Sequence, residues 1–225
     1  MISDLPHAWH YSIDEAKSIQ IELAEKVQIC KLPSKIRIVA GCDVSYISAQ
    51  KILIAGMAVL EYPSLKILDT RVITDNINFP YIPGYLSFRE SPALLHLIAD
   101  YVKDIDIYIF DGHGIAHPRS LGIAAHIGIL IEKPSVGCAK KKLIGTYRMP
   151  ALMKGSSSDL IYQGKIVGRV VRTRNNIKPL FISVGNRVNL DQAVELILSC
   201  CTKFRLPEPT RQAHILVTKF KNNYN

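Results

Sequence analysis

Asp43 and Asp111 are the residues best placed to do chemistry. Each closes an apolar run: residues 36–42 lead into Asp43, and residues 106–110 into Asp111. Such runs read as buried strands. Each carboxylate is therefore expected at the rim of a sheet, where a buried charge without a partner is very costly. The partner can be a basic side chain, the amides of a helix N-terminus or a metal ion. Glu90 adds a third carboxylate at a predicted helix start. Three carboxylates in one cleft would hold Mg²⁺, which prefers oxygen ligands and keeps several waters. They would repel phosphate unless a metal intervened, and a metal that bridges the two can also generate hydroxide for attack. A structural arrangement competes, with Asp111 capping a turn and Asp43 paired with a lysine, because ion pairs perturb carboxylates just as readily.

Two further segments favour chemistry on a polyanion. In Phe79-Pro80-Tyr81-Ile82-Pro83-Gly84-Tyr85 an aromatic lies between two prolines. The prolines fix φ and restrict their predecessors, which makes a stiff loop able to present Tyr81 as a wedge at a base step. A packed surface loop is the alternative. In residues 111–119, Gly112 and Gly114 let backbone approach a ligand, and His117 and Arg119 flank a predicted helix start at Pro118, where anions bind well. Gly112-x-Gly114, with Glu132 beyond, also half-matches a dinucleotide fingerprint. His117 occupies the third glycine position, however, and Asp111 would face the pyrophosphate without a cation.

The elements that must position these residues follow from pattern. Ser12 and Glu15 have capping-box spacing, and Ala16, Ile19, Leu23 and Val27 share a helical face that stops before Pro33. Strands are predicted at 36–42, 52–61 and 66–73. Their short connections make them antiparallel neighbours. A proline-punctuated loop, 76–88, precedes a helix at 90–103 with Pro92 in its first turn. A strand at 106–110, a helix from Pro118 to 131 and a short strand at 134–139 lead to Lys140-Lys141-Lys142. Hairpin-like strands fill 161–184, a helix capped near Asn189 covers 193–203, and a last basic helix starts near Thr210. The order predicts an α/β fold in one domain over 1–225. It is an RNase H-like mixed sheet, its first three strands antiparallel and the next parallel, flanked by helices.

Composition sets the class. The 225 residues are 48% apolar and 21% charged, which excludes wholesale disorder or a fibre. Lys and Arg number 28 against 19 Asp and Glu, a net charge of +9 that favours nucleic acid as partner, with an acidic membrane second. Residues 1–7 have neither the basic nor the apolar region of a secretory leader. No apolar stretch nears the ~20 residues of a bilayer span. The five cysteines, 30, 42, 138, 200 and 201, form no Cys-x-x-Cys and are an odd number, so they read as reduced core thiols of a cytoplasmic protein.

The residues also resemble a known family. The strings are Gly41-Cys42-Asp43-Val44-Ser45, the run from Phe79 through Gly84 and Leu86 to Phe88-Arg89-Glu90, Phe110-Asp111-Gly112-His113-Gly114, His117-Pro118-Arg119 through Gly122, Gly137-Cys138-Ala139-Lys140, and Pro207-Glu208-Pro209-Thr210-Arg211 with His214. Together they resemble endonuclease V, the deoxyinosine-specific DNA repair nuclease family. The resemblance implies hydrolysis of DNA at the second phosphodiester 3′ to a deaminated base, with Mg²⁺ as cofactor and Mn²⁺ able to substitute. It implies that Asp43 and Asp111 hold the metal, that Glu90 completes the acidic site, and that Lys140 and His214 are catalytic. His214 matches a position where relatives carry histidine or aspartate. Tyr81 would be the wedge, within a DNA-binding set of Pro80, Ile82, Pro83, Gly84, Leu86, Gly112, His117, Arg119 and Gly122. The glycines among these would leave room for the extruded base. His113 stands where many relatives have glutamine. The expected partner is DNA with deaminated bases, bound by a monomer without a membrane.

Other residues carry less. His126, inside an apolar helix, is either a satisfied core histidine or a support for the site, and His7, His10 and His96 carry no signal. Ser45 and Tyr46 are expected to support the strand end. Lys141 and Lys142 read as a solvated run that helps to hold phosphate, and Arg119 and the last helix are expected to touch phosphates too. Cys42 and Cys138 flank site residues, but a cysteine ligand would suit a softer metal. A non-catalytic nucleic-acid-binding protein of the same fold is the competing function. Concentrated negative charge beside phosphate argues against it.

Overall fold

The computed structural model describes Trp9 and residues 11–224. His7, His10 and most of the N-terminal stretch lie outside the described residues. The predicted meander is present: β1 (Ile38–Ile47), β2 (Ile52–Glu61) and β3 (Ile67–Asn76) pair antiparallel in sequence. The short strands β4 (Ile107–Phe110) and β5 (Ser135–Ala139) continue from β1 in parallel. Beyond them the direction reverses again. β8 (Leu180–Asn186) runs antiparallel to β5, and β7 (Lys165–Val171) and β6 (Ser157–Tyr162) extend the sheet. All eight strands join in the order β3-β2-β1-β4-β5-β8-β7-β6, the RNase H-like arrangement with an antiparallel extension.

Alternation along the strands divides the core in two. Ala40, Cys42, Met57, Tyr108 and Phe110 pack under α2 (Leu86–Ile98) and α3 (Ile123–Leu130). Val39, Leu60, Ile107, Ile109 and Val184 pack under α4 (Leu190–Cys200) on the other face. The capping box at Ser12 starts α1 (Ile13–Ala24), which lies over α3 and the loop before α2. The last helix, α5 (Glu208–Tyr224), crosses β1 and β2. Its first turn comes so close that a Cβ on Gly41 would lie 2.1 Å from the Pro209 carbonyl carbon.

The ladder between β1 and β4 stops at Cys42 opposite Phe110. From Asp43 onward β1 keeps only β2 as a neighbour, with Asp43 opposite Gly56. Asp43 is thus not at a strand end, as its place after an apolar run predicts. It lies mid-strand, at the notch left where the shorter β4 finishes. Glu90 also moves: α2 begins at Leu86, so Glu90 sits more than a turn inside it and Pro92 is in the helix interior. Pro118 opens no helix, because α3 begins at Ile123 behind Gly122. Four cysteines are buried, but Cys30 is exposed, and all five are free. Among the described residues no helix is long and apolar enough to cross a membrane.

Candidate active site

The notch gathers charge from five elements. Asp43 comes from the far half of β1, Asp111 from the turn after β4, Lys140 from the exit of β5, Glu90 from α2 and His214 from α5. All five line one cavity of about 240 Å³, walled by Cys42, Val44, Leu86, Leu94, Phe110 and Ile123. Helices on opposite faces of the sheet can both reach it because no strand separates the faces beyond Phe110.

Each acid of the cavity has a local partner. The His214 ring meets Asp43 Oδ2 through Nδ1 at 2.7 Å. The Lys140 ammonium donates to Asp111 Oδ2. The Tyr46 hydroxyl donates to Glu90 Oε1, and the Arg89 guanidinium lies 4.8 Å from the centre of the Tyr46 ring. Burial raises the pKa of Asp43, and the neighbouring Asp111 carboxylate adds to the effect. Burial also pushes Glu90 up to about 8; the Tyr46 hydrogen bond opposes this, while Asp43 and Asp111 reinforce it. A carboxylate whose proton affinity is raised by its carboxylate neighbours, as in Asp43 and Glu90, is short of compensating positive charge.

Among the described residues no three or more His, Cys, Asp and Glu side chains already form a metal-binding group. Asp43 and Asp111 are instead turned onto His214 and Lys140. The donor chemistry still fits a hard divalent cation, since two buried carboxylates, Asp43 and Glu90, and the half-buried Asp111 share one cavity. Cys42 lines it too, but burial drives its thiol pKa upward, so it remains a protonated wall.

A second, mostly apolar cavity of about 150 Å³ shares Leu86 and Ile123 with the first. One wall is Tyr81, Ile82, Pro83 and Gly84, and the other is Gly112, His113, His117 and Gly122. Tyr81 is 70% exposed at the rim, and Pro80 lies outside this cavity, in a neighbouring groove with Phe79 and Arg89. The glycines do less for the opening than their small size suggests. A Cβ on Gly122 would lie 2.3 Å from the His113 carbonyl oxygen, and one on Gly112 would lie 2.6 Å from Ile123. Their missing side chains let the protein pack on itself. Gly114 packs in the same way on the Val184 carbonyl oxygen, and α3 starts only after residues 111–122, which removes the dinucleotide alternative.

His117 and Arg119 turn inward. The Arg119 backbone N–H donates to His117 Nδ1 at 3.2 Å, so Nε2 carries the ring proton and donates to the Gly84 carbonyl at 3.0 Å. Burial, with Arg119 next in effect, lowers the His117 pKa to about 4 and keeps the ring neutral. Arg119 also donates to the Gly84 carbonyl, at 2.8 Å, and stacks 4.3 Å over Tyr85. Two of its guanidinium nitrogens, Nε and Nη2, are thus engaged within the protein. Lys141 and Lys142 are exposed, as a solvated basic run requires. His126 is a core residue, with Nδ1 3.1 Å from Ser87 Oγ and its ring against Trp9 and Phe88.

Tyr46, expected only to support the strand end, holds Glu90, and Gln20 escapes a sequence reading altogether. Tyr46 follows Asp43 by three, so strand alternation assigns them to opposite faces; both reach Glu90's surroundings because the notch is open. Gln20 is polar on a helix, which normally signals solvent, yet it is fully buried.

Comparison with known proteins agrees over nearly the whole chain. A family model described as Endonuclease V matches residues 21–215. A curated Endonuclease V of Gloeobacter violaceus is 44% identical over 211 residues, which cover 92% of this chain and 86% of that one. The crystal structure of an Endonuclease V from Streptomyces avermitilis superposes with TM-score 0.91 at 33% identity, covering 96% of each chain. The Ciona intestinalis Endonuclease V, solved in complex with a 24mer DNA containing an inosine followed by a ribo-adenosine, gives TM-score 0.81 at 26% identity, covering 95% of this chain and 99% of that one.

Proposed function

Because the chain belongs to the endonuclease V family, we propose that it is a metal-dependent DNA repair endonuclease that recognises deaminated bases, chiefly deoxyinosine. In this reading it hydrolyses the second phosphodiester bond 3′ to the altered base, uses Mg²⁺ with Mn²⁺ as a substitute, and works as a cytoplasmic monomer. One observation carries the proposal: the acidic cavity adjoins an apolar one with a tyrosine at its rim. A protein that only bound nucleic acid would gain nothing from three carboxylates beside phosphate. The likeness to the Ciona protein supports the substrate class.

Asp43 and Asp111 would hold the ion, and Glu90 would complete the acidic set. Bound there, Mg²⁺ would supply charge neutralisation at the phosphate and a lowered pKa for water. His214, held at Asp43 by Nδ1 and with its side chain 49% exposed, can take or give a proton at the phosphate. The Lys140 ammonium can turn from Asp111 to charge developing on a phosphate oxygen. Leu86 and Ile123 form the passage between scissile phosphate and extruded base, which would sit between the Pro83–Gly84 and Gly112–Gly122 walls.

The direct test is an end-labelled duplex carrying one deoxyinosine, incubated with Mg²⁺ and with EDTA. A single nick at the second phosphodiester 3′ to the inosine, in Mg²⁺ only, is expected. Equal nicking in EDTA, or none in either, would refute the proposal.

Tyr46→Phe keeps the ring and removes only the donor to Glu90. With Glu90 held mostly protonated by burial, this is a hydrogen bond between neutral groups, which contributes about 0.5–1.5 kcal/mol, so the single-turnover rate should fall roughly twofold to tenfold. An unchanged rate would remove Tyr46 from the site. Replacing Lys141 and Lys142 by alanine should weaken inosine-containing and ordinary duplexes by similar factors. The log–log salt slope should drop by roughly 0.9 per lost phosphate contact. A loss confined to inosine-containing DNA would place these lysines in base recognition instead.

A further inference from the structure

Three side-chain donors converge on one carbonyl oxygen, that of Gly84. They are Gln20 Nε2 at 3.0 Å, His117 Nε2 at 3.0 Å and Arg119 Nη2 at 2.8 Å. Gly84 is itself left-handed, with φ at 82°, so its carbonyl direction depends on what holds it. Gln20 does more than the other two. Its amide also donates to the Leu121 carbonyl at 3.3 Å, and its Oε1 accepts from Arg119 Nε. One buried glutamine on α1 thus ties the wall that contains Gly84 to the turn that leads into Gly122, the opposite wall of the apolar cavity. Gln20 does not line that cavity, and no chemistry described above uses it.

We infer that Gln20 is a positioning residue, which sets the separation of the two walls and thereby the enzyme's preference for an altered base over a normal one. The inference rests on the functional reading above. A carbonyl oxygen has two lone pairs, so the third donor is more than its burial demands, whereas a fixed gap demands every tie. Misplacement by about an ångström from outside a site can cost on the order of a hundredfold.

The decisive variant is Gln20→Met, which keeps the volume and removes every polar tie. Gln20→Glu accompanies it; it can still accept from Arg119 but has no proton for Gly84 or Leu121. Lys17→Ala, on the exposed side of α1, is the control. The measurement is kcat/KM on a deoxyinosine duplex and on the same duplex with adenine, together with affinity for the adenine duplex. Both Gln20 variants should lower the inosine-to-adenine ratio by about tenfold to a hundredfold. Adenine-duplex affinity should stay within about twofold, since the phosphate contacts that supply non-specific binding are untouched. Equal losses on both duplexes would indicate general destabilisation and overturn the assignment, as would an unchanged ratio. A wild-type enzyme without inosine preference would instead overturn the functional reading, and this inference with it.

Discussion

Asp43→Asn and Asp111→Asn should each reduce cleavage of inosine-containing DNA by about a thousandfold or more, while binding stays measurable. The size follows from the several kcal/mol that a metal contributes to stabilising charge in phosphoryl chemistry. Asparagine preserves the shape of the notch and removes one negative charge from a cavity whose carboxylates already compete for protons. Metal affinity falls, and so does repulsion of the phosphate, so affinity measured in EDTA should hold or rise. The two variants should differ in one respect. At position 111 the Lys140 ammonium loses its ion-pair partner and is free for phosphate, whereas at position 43 it is His214 that loses its anchor. Asp111→Asn should therefore show the larger gain in binding. Single-turnover cleavage with a Mg²⁺ titration, alongside binding in EDTA, measures both quantities. Turnover near the wild-type rate in either variant would refute the metal assignment.

Tyr81→Ala should weaken binding to an inosine-containing duplex by roughly tenfold to a hundredfold, in line with about 1–3 kcal/mol for stacking on a base. Extruding a base from a duplex costs a few kcal/mol, and less where pairing is weak, as it is for hypoxanthine. Something must occupy the gap meanwhile. Tyr81 is exposed, while Phe79 and Tyr85 on either side are buried and anchor the loop. Gly84, further along the same loop, is tied by three donors. The tyrosine is thus a free ring on a fixed base. Its removal should leave metal affinity unchanged, because Tyr81 is absent from the acidic cavity. A single-stranded inosine substrate has no partner strand to hold apart and should lose less. Equal losses on single and double strands would show that Tyr81 is not a wedge.

Which parts of this were legible in the sequence follows from range. The β1–β3 meander, the apolar strand before Asp111 and the capped α1 are set by neighbours a few residues apart, and local pattern describes them. Asp43 was legible as a carboxylate after an apolar run, but not as a mid-strand residue, because the break belongs to β4 and not to β1. Local pattern places the start of α2 at Glu90, four residues late, since the left-handed Gly84 and the buried Tyr85 that precede the helix depend on α1 and Arg119. His117 and Arg119 read as anion ligands because a helix is expected to start at Pro118, but α3 starts at Ile123, and their partners Gly84 and Gln20 lie far away in sequence. Gln20 was invisible for the converse reason: helical periodicity places a polar residue in water unless a distant backbone claims it.

The close seat of α5 on Gly41 bears on how the protein is made. His214 reaches Asp43 only when this helix has docked, and α5 is the last described element to leave the ribosome. By then the sheet, its acids and Lys140 have all been translated. A nascent chain halted before Glu208 would hold its acidic cleft uncovered on one flank, without the histidine that meets Asp43. Closure of that flank, and the His214–Asp43 contact with it, would then arrive only with completion of the final helix.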